Sequence, residues 1–135
     1  MAGPVFLTLA EVLEIHRDQI GRYGGREGIR DLELLQSALA VPAASFAGGF
    51  LHEGLPETAV AYLFHIVRDH PFIDGNKRTG AVAALVFLLL NGHELRAPED
   101  KLFEAVLAVA SGKMSKAELT LFFRRWTKKG QGKKR

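Results

Sequence analysis

Between residues 70 and 80 the chain reads His70-Pro71-Phe72-Ile73-Asp74-Gly75-Asn76-Lys77-Arg78-Thr79-Gly80, a set of residue types suited to handling phosphate. Asn76 to Gly80 lead into the apolar run Ala81 to Leu90. A loop containing glycine therefore gives way to a helix whose free backbone N–H groups and positive dipole end favour anions. Asp74, two residues before that helix start, is placed to hold Mg²⁺, which takes one or two carboxylates and completes its shell with water and substrate phosphate oxygens. Arg78 offers a planar fork of donors that matches phosphate. His70 can take a proton near neutral pH from an attacking hydroxyl. Phe72 is expected to do no chemistry and to anchor the loop in the core.

Each of these residues also has a structural use. His70 follows an apolar helix and could sit on its C-terminal dipole, which favours imidazolium over a free base. Asp74 could cap a helix or close an Asx turn, and Lys77 or Arg78 could be solvated surface cations. Their combination at this spacing, directly before a helix, points to a site.

The loop must be positioned by helices, because the pattern along the chain is helical almost throughout. Thr8-Leu9-Ala10-Glu11 is a capping box, followed by Val12, Leu13 and Ile20 on one face until Gly24-Gly25. Asp31 caps a second helix through Leu35, Ala38 and Leu39 that stops near Pro42. Residues 42 to 55 are the one long irregular stretch. Pro56 suits the first turn of a third helix, with Ala59, Val60, Leu63, Phe64 and Val67 at helical spacing, and this helix delivers His70. The fourth reads as a buried central helix ending at Asn91-Gly92. Pro98 opens a fifth, which stops at Gly112, and the capping box Ser115-Lys116-Ala117-Glu118 opens a last helix through Trp126. No period-2 strand of useful length and no repeat is apparent. The expected fold is all-α: one bundle of about six helices, with the glycine-containing anion loop between the third and fourth.

Composition bounds the function. A chain of 135 residues with 47% hydrophobic content suits one compact domain. There is no cysteine, hence no disulfide framework or thiolate zinc site, which fits a reducing, cytoplasmic setting. The first residues lack a basic region, and Glu11 and Glu14 interrupt any signal-like apolar stretch, so secretion is not expected. The run Ala81 to Leu90 is about half the length needed to span a bilayer. Five of the 18 cations are Lys128, Lys129, Lys133, Lys134 and Arg135, leaving 13 against 15 acids in residues 1–127, a net of −2. The folded domain is thus expected over 1–127, with 128–135 a basic disordered tail, and neither direct nucleic-acid binding nor membrane association is expected.

The segment His70 to Arg78 resembles the Fic/Doc signature His-x-Phe-x-Asp/Glu-Gly/Ala-Asn-x-Arg, and Lys77 at the variable position is similar to the Doc (death-on-curing) toxin branch. The resemblance extends from about Phe6 to Trp126. It includes Gly24-Gly25-Arg26-Glu27-Gly28-Ile29-Arg30-Asp31 with Leu34-Leu35-Gln36-Ser37-Ala38-Leu39, and Ala110-Ser111-Gly112-Lys113-Met114-Ser115 with Arg124-Arg125-Trp126. Arg30 and Asp31 are expected to shape a turn and cap a helix. His16, His52, His65 and His93 lack comparable surroundings and are read as structural.

The resemblance implies that His70 is general base toward a target hydroxyl and that Asp74 holds the Mg²⁺ of Mg-ATP. It makes Gly75 and Asn76 the anion cradle and has Lys77 and Arg78 bind the polyphosphate, with residues 42 to 55 as a flap that docks the target segment. Fic enzymes with glycine at the Lys77 position generally transfer AMP, whereas Doc-type toxins are serine/threonine kinases that phosphorylate elongation factor Tu and arrest translation. Two departures favour the kinase. Lys77 replaces the glycine that lets a phosphate approach the backbone, and Ala81 stands where many AMP transferases carry a second arginine. Gly49-Phe50-Leu51-His52-Glu53-Gly54 matches only the last part of a Ser/Thr-x-x-x-Glu-Gly/Asn inhibitory helix, so inhibition in trans by a Phd-like antitoxin is expected. AMP transfer, or a catalytically silent antitoxin-binding module, are the other readings.

Overall fold

The computed structural model describes residues 3–46, 49–50 and 54–130. Six helices follow one another as α1 (Leu9–Tyr23), α2 (Leu32–Ala40), α3 (Leu55–Asp69), α4 (Asn76–Leu90), α5 (Glu99–Ala110) and α6 (Lys116–Trp126). Their ends are set by local chemistry. Thr8 and Ser115 each close a complete capping box, with Glu11 and Glu118 returning the bond, and the Asp31 side chain accepts from Leu34 N. The chain leaves α1 at Gly24 and α4 at Asn91-Gly92.

The most enclosed helix is α3, where the sequence pointed to α4. It packs on α2, α4, α5 and α6, and Thr58 to Leu63, Ile66 and Val67 are all buried. The last turn of α4 instead leaves Leu89 and Leu90 about half exposed, at 55% and 47%. An uninterrupted apolar run marks burial only where neighbours cover the whole circumference, and α3 has helices on more sides. The core joins Tyr62, Leu63 and Ile66 of α3 to Phe87 and Leu88 of α4, Leu35 of α2 and Leu119 and Phe123 of α6. Gly80 brings α3 and α4 together. A Cβ there would stand 2.8 Å from Val67 Cγ2 and 3.2 Å from the Leu63 carbonyl oxygen, so a side chain would push apart the two helices that bracket the loop.

Two short antiparallel pairings depart from the strand-free expectation. Strand β1 (Ser45–Phe46) pairs with β2 (Gly49–Phe50) inside the stretch read as irregular. Strand β3 (His93–Leu95) pairs with β4 (Thr127–Lys129) in the register His93↔Lys129, Glu94↔Lys128 and Leu95↔Thr127. Lys128 and Lys129 therefore belong to the folded body rather than to a tail beginning at 128, and Gly130 N donates to Gly92 O at 2.8 Å. Three residues are too few for period-2 alternation to be read, and the pairing is fixed by α6 delivering its end beside the exit of α4. Residues 131–135 and His52 lie outside the described residues, as do Leu51 and Glu53 of the partial inhibitory motif.

Candidate active site

The loop begins where α3 ends. His70 is the C-cap of α3 in the left-handed region, φ 51° and ψ 55°, the one non-glycine residue with positive φ among the described residues. The carbonyls exposed by that ending are taken by Arg30, whose Nε donates to His70 O at 2.6 Å and whose Nη2 donates to Asp69 O at 2.8 Å. The dipole-capping use open to the His70 ring is thus filled by a guanidinium. The ring itself is exposed. Its Nδ1 lies 3.4 Å from Asn76 Nδ2, a long contact that orients the ring without fixing its tautomer, and Nε2 has no partner among the described residues.

Residues 71–76 are clamped from three directions. From the 24–31 segment, Arg30 N and Asp31 N donate to Pro71 O at 2.7 and 3.0 Å, and Ile73 N donates to Gly28 O at 3.0 Å, around an Ile29↔Phe72 bridge. From α1, the buried His16 ring stacks on Phe72 at 3.9 Å and 7°, and its Nε2 meets Asp74 O at 2.8 Å. From α4, the Asn76 carboxamide accepts from Phe72 N at 2.9 Å and donates to Phe72 O at 3.0 Å. Phe72 is the expected anchor, 1% exposed. The Asn76 side chain shapes the loop, so what Asn76 can offer an anion is its backbone N–H.

Asp74 stands partly exposed at the loop's turn. Its Oδ2 accepts from Arg26 N at 3.2 Å and its Oδ1 from Gly75 N at 2.9 Å. Those two bonds, first Arg26 and then Gly75, hold the carboxyl below the ordinary range against a small desolvation effect, with Arg78 and Lys77 adding to the lowering. The close approach of the 24–31 segment requires glycine at 25. Its φ is +121°, and a Cβ would lie 2.9 Å from Asp74 Oδ2 and 3.0 Å from Ile20 Cδ1. Among the described residues no three His, Cys, Asp or Glu side chains gather in a way that could enclose a metal. One ionised carboxylate beside an anion-favouring helix start is instead the donor set that suits Mg²⁺ shared with substrate oxygens.

Helix α4 starts from Gly75 in the left-handed region (φ 77°) with no side-chain cap and no acid in its first turn. Asn76, Lys77 and Arg78 N–H have no partner among the described residues, and Lys77 is exposed. Arg78 is differently placed from the expectation of a phosphate-facing fork. Its Nη1 donates to Gln19 O at 3.1 Å and its Nη2 to Gly24 O at 2.9 Å, closing the end of α1, while Cζ lies 5.7 Å from the Tyr23 ring centroid. The loop and α4 start form one wall of a cleft of about 420 Å³, lined by Asp74, Gly75, Asn76, Lys77, Arg78 and Ala81. The facing wall is Glu99, Leu102, Phe103, Val106 and Leu107 of α5. Nothing in the sequence marked the α5 residues except one hint: the helix carries more apolar positions than one buried face uses.

Of the other described histidines, His93 Nδ1 meets Asn91 O at 3.0 Å and His65 Nε2 meets Lys116 Nζ at 3.0 Å. No helix among the described residues is long and apolar enough to cross a membrane.

The family model described as Fic/DOC family matches residues 6–88, from before α1 into the last turn of α4. The chain is 41% identical over 78 residues to "Toxin Doc" of Mycolicibacterium smegmatis, a match covering 58% of this chain and 60% of that protein. It is 32% identical over 116 residues to "Protein kinase doc" of Escherichia phage P1, covering 85% of this chain and 90% of that one.

Proposed function

Since the chain belongs to the Fic/DOC family, we propose that it is a Doc-type toxin, a protein-modifying transferase that moves the γ-phosphoryl group of Mg-ATP to a hydroxyl of a target protein. Elongation factor Tu is the proposed target, arrest of translation the consequence, and a Phd-like antitoxin the partner that restrains it. The observation that carries the reading is the start of α4: an uncapped, acid-free helix N-terminus with exposed Lys77, one loop away from an exposed imidazole. The names of two relatives, "Toxin Doc" and "Protein kinase doc", support it.

In this reading the His70 imidazole takes the proton of the target hydroxyl as its oxygen forms a bond to the γ-phosphorus. The bond from that phosphorus to the β–γ bridging oxygen breaks, and ADP leaves. Arg30 holds the last carbonyls of α3 so that the ring stays outside the helix end. The N–H groups of Asn76, Lys77 and Arg78 and the Lys77 ammonium receive the polyphosphate charge. Mg²⁺, held by Asp74, would neutralise phosphate charge. Arg78, already bonded to two carbonyls of the α1 end, contributes positive potential and fixes the loop against α1 rather than gripping phosphate in a fork.

The kinase and AMP-transfer readings differ in which phosphate is attacked, and Lys77 and Ala81 favour the kinase. The test incubates the protein with purified elongation factor Tu, or a bacterial lysate, and either γ-labelled or α-labelled ATP. Label from the γ position alone is expected on the target. Label from the α position would overturn the kinase and leave AMP transfer in its place. Lys77→Gly should reduce γ transfer, because it removes the charge and bulk that set the triphosphate's orientation.

A further inference from the structure

A lysine and an imidazole meet where α6 packs on α3. Lys116 Nζ lies 3.0 Å from His65 Nε2, and both residues are half-buried. The Phe64 ring stands edge-on to the imidazole at 5.4 Å between centroids. An ammonium can only donate, so the charged lysine gives its proton toward Nε2. Three features then press this nitrogen toward its neutral form. Lys116 is the first residue of α6, where the positive end of the helix dipole disfavours a cation. Burial holds its ammonium below the ordinary lysine value. A neutral imidazole accepts the bond without the negative charge by which a carboxylate would retain the proton. The start of α6 does not depend on a cation at this position, because Ser115 and Glu118 close its capping box themselves.

We propose that Lys116 is a modification site, whose Nζ takes an acyl group from an activated donor, a thioester or an acyl phosphate, with the His65 imidazole receiving the proton. The nitrogen forms a bond to the acyl carbon, and the bond from that carbon to the thiolate sulfur or phosphate oxygen breaks. The leaving group keeps that electron pair. The product is a neutral amide that still carries an N–H to donate to His65. Acylation therefore removes the charge opposed by the helix dipole while leaving a link between α3 and α6.

The folded chain is incubated near pH 7 with acetyl phosphate or, separately, with acetyl-coenzyme A, and each lysine is quantified by mass spectrometry. Lys116 should acetylate about two- to fivefold faster than the exposed Lys101 and Lys113, the ratio that the helix dipole alone provides, although it is the more enclosed amine. The midpoint of its pH–rate profile should lie below the ordinary lysine value of 10.5. Preference in either arm supports the site and tells which donor serves it. His65→Gln, which keeps an acceptor but takes no proton, should bring Lys116 down to the rate of the exposed lysines, with folding checked by circular dichroism. The comparison among lysines of the wild-type chain decides the point even where that variant is destabilised. A Lys116 rate at or below those of Lys101 and Lys113 with both donors would overturn the proposal. So would an unchanged rate in folded His65→Gln.

Discussion

The N-termini of α1 and α4 are built in opposite ways within one bundle. At α1 the Thr8 side chain accepts from Glu11 N and Glu11 returns a bond to Thr8 N, so the helix satisfies its own first turn and adds an acid against the dipole. At α4 the cap is Gly75, no side chain closes the turn, and the first-turn charges are Lys77 and Arg78. Of the six helices described, α4 is the one with no acid in its first turn. The α1 start is optimised for stability. The α4 start leaves donors and positive potential unspent, and its shape is held instead by Asn76, Phe72 and His16 beneath the loop. The contrast teaches that a site's stability can be supplied by the buried side of a loop while its exposed side stays unsatisfied.

The largest expected effect concerns the chemistry that the α4 start serves. His70→Ala should lower transfer about 10²–10⁴-fold, the usual contribution of a general base, with Mg-ATP affinity nearly unchanged by calorimetry. Full transfer in that variant would remove His70 from the mechanism.

Asp74→Asn sharpens the contrast by removing the one carboxylate beside the α4 start. Nucleotide affinity in Mg²⁺ should fall about 10–100-fold, a typical loss when a metal site is damaged, and should barely change in EDTA. Equal losses under both conditions would mark Asp74 as a loop-closing residue only. The carboxyl is held below its ordinary value of 3.8 in the folded state. Its stabilising contribution is therefore complete above that value and disappears as pH falls through the lowered one. Mg²⁺-dependent binding should accordingly show no titration of this group between pH 5 and 8.

Asn76→Ala tests the buried side. It strands Phe72 N–H and C=O in the core, a loss of about 1–3 kcal/mol readable by denaturant titration. A silent substitution would mean that the α4 start is shaped by His16 and the 24–31 segment alone.

Lys77→Glu makes the α4 start resemble that of α1, with an acid in its first turn. Triphosphate and ATP binding should weaken about tenfold, less so at high salt, while thermal stability holds or rises slightly. An unaltered affinity would break the comparison.

The smallest effect belongs to the control. Thr8→Ala should cost about 1 kcal/mol of stability, as loss of an N-cap does, with nucleotide affinity the same as wild type.

What could be read along the chain was whatever depends on neighbours a few residues apart. The capping boxes at Thr8 and Ser115, the Asp31 cap, the glycine exits and the order of six helices all follow from i to i+3 and i+4 relations. So does the order of groups in His70 to Arg78. Phe72 is buried, whereas its apolar neighbour Ile73 stays 43% exposed, so apolar character alone did not say which side chain enters the core. Three-dimensional packing decided the rest. His16 reaches Asp74 across 58 positions and Arg30 closes the end of α3 across 40, while Arg78 turns to the α1 carbonyls and Lys128 and Lys129 join a strand. The α5 wall faces the loop because α5 packs on both α3 and α4. Such relations carry no local periodicity. They arise when buried area and unsatisfied backbone groups select partners from anywhere in the chain, and for that reason the residues of the loop were legible in the sequence while the surroundings that orient them were not.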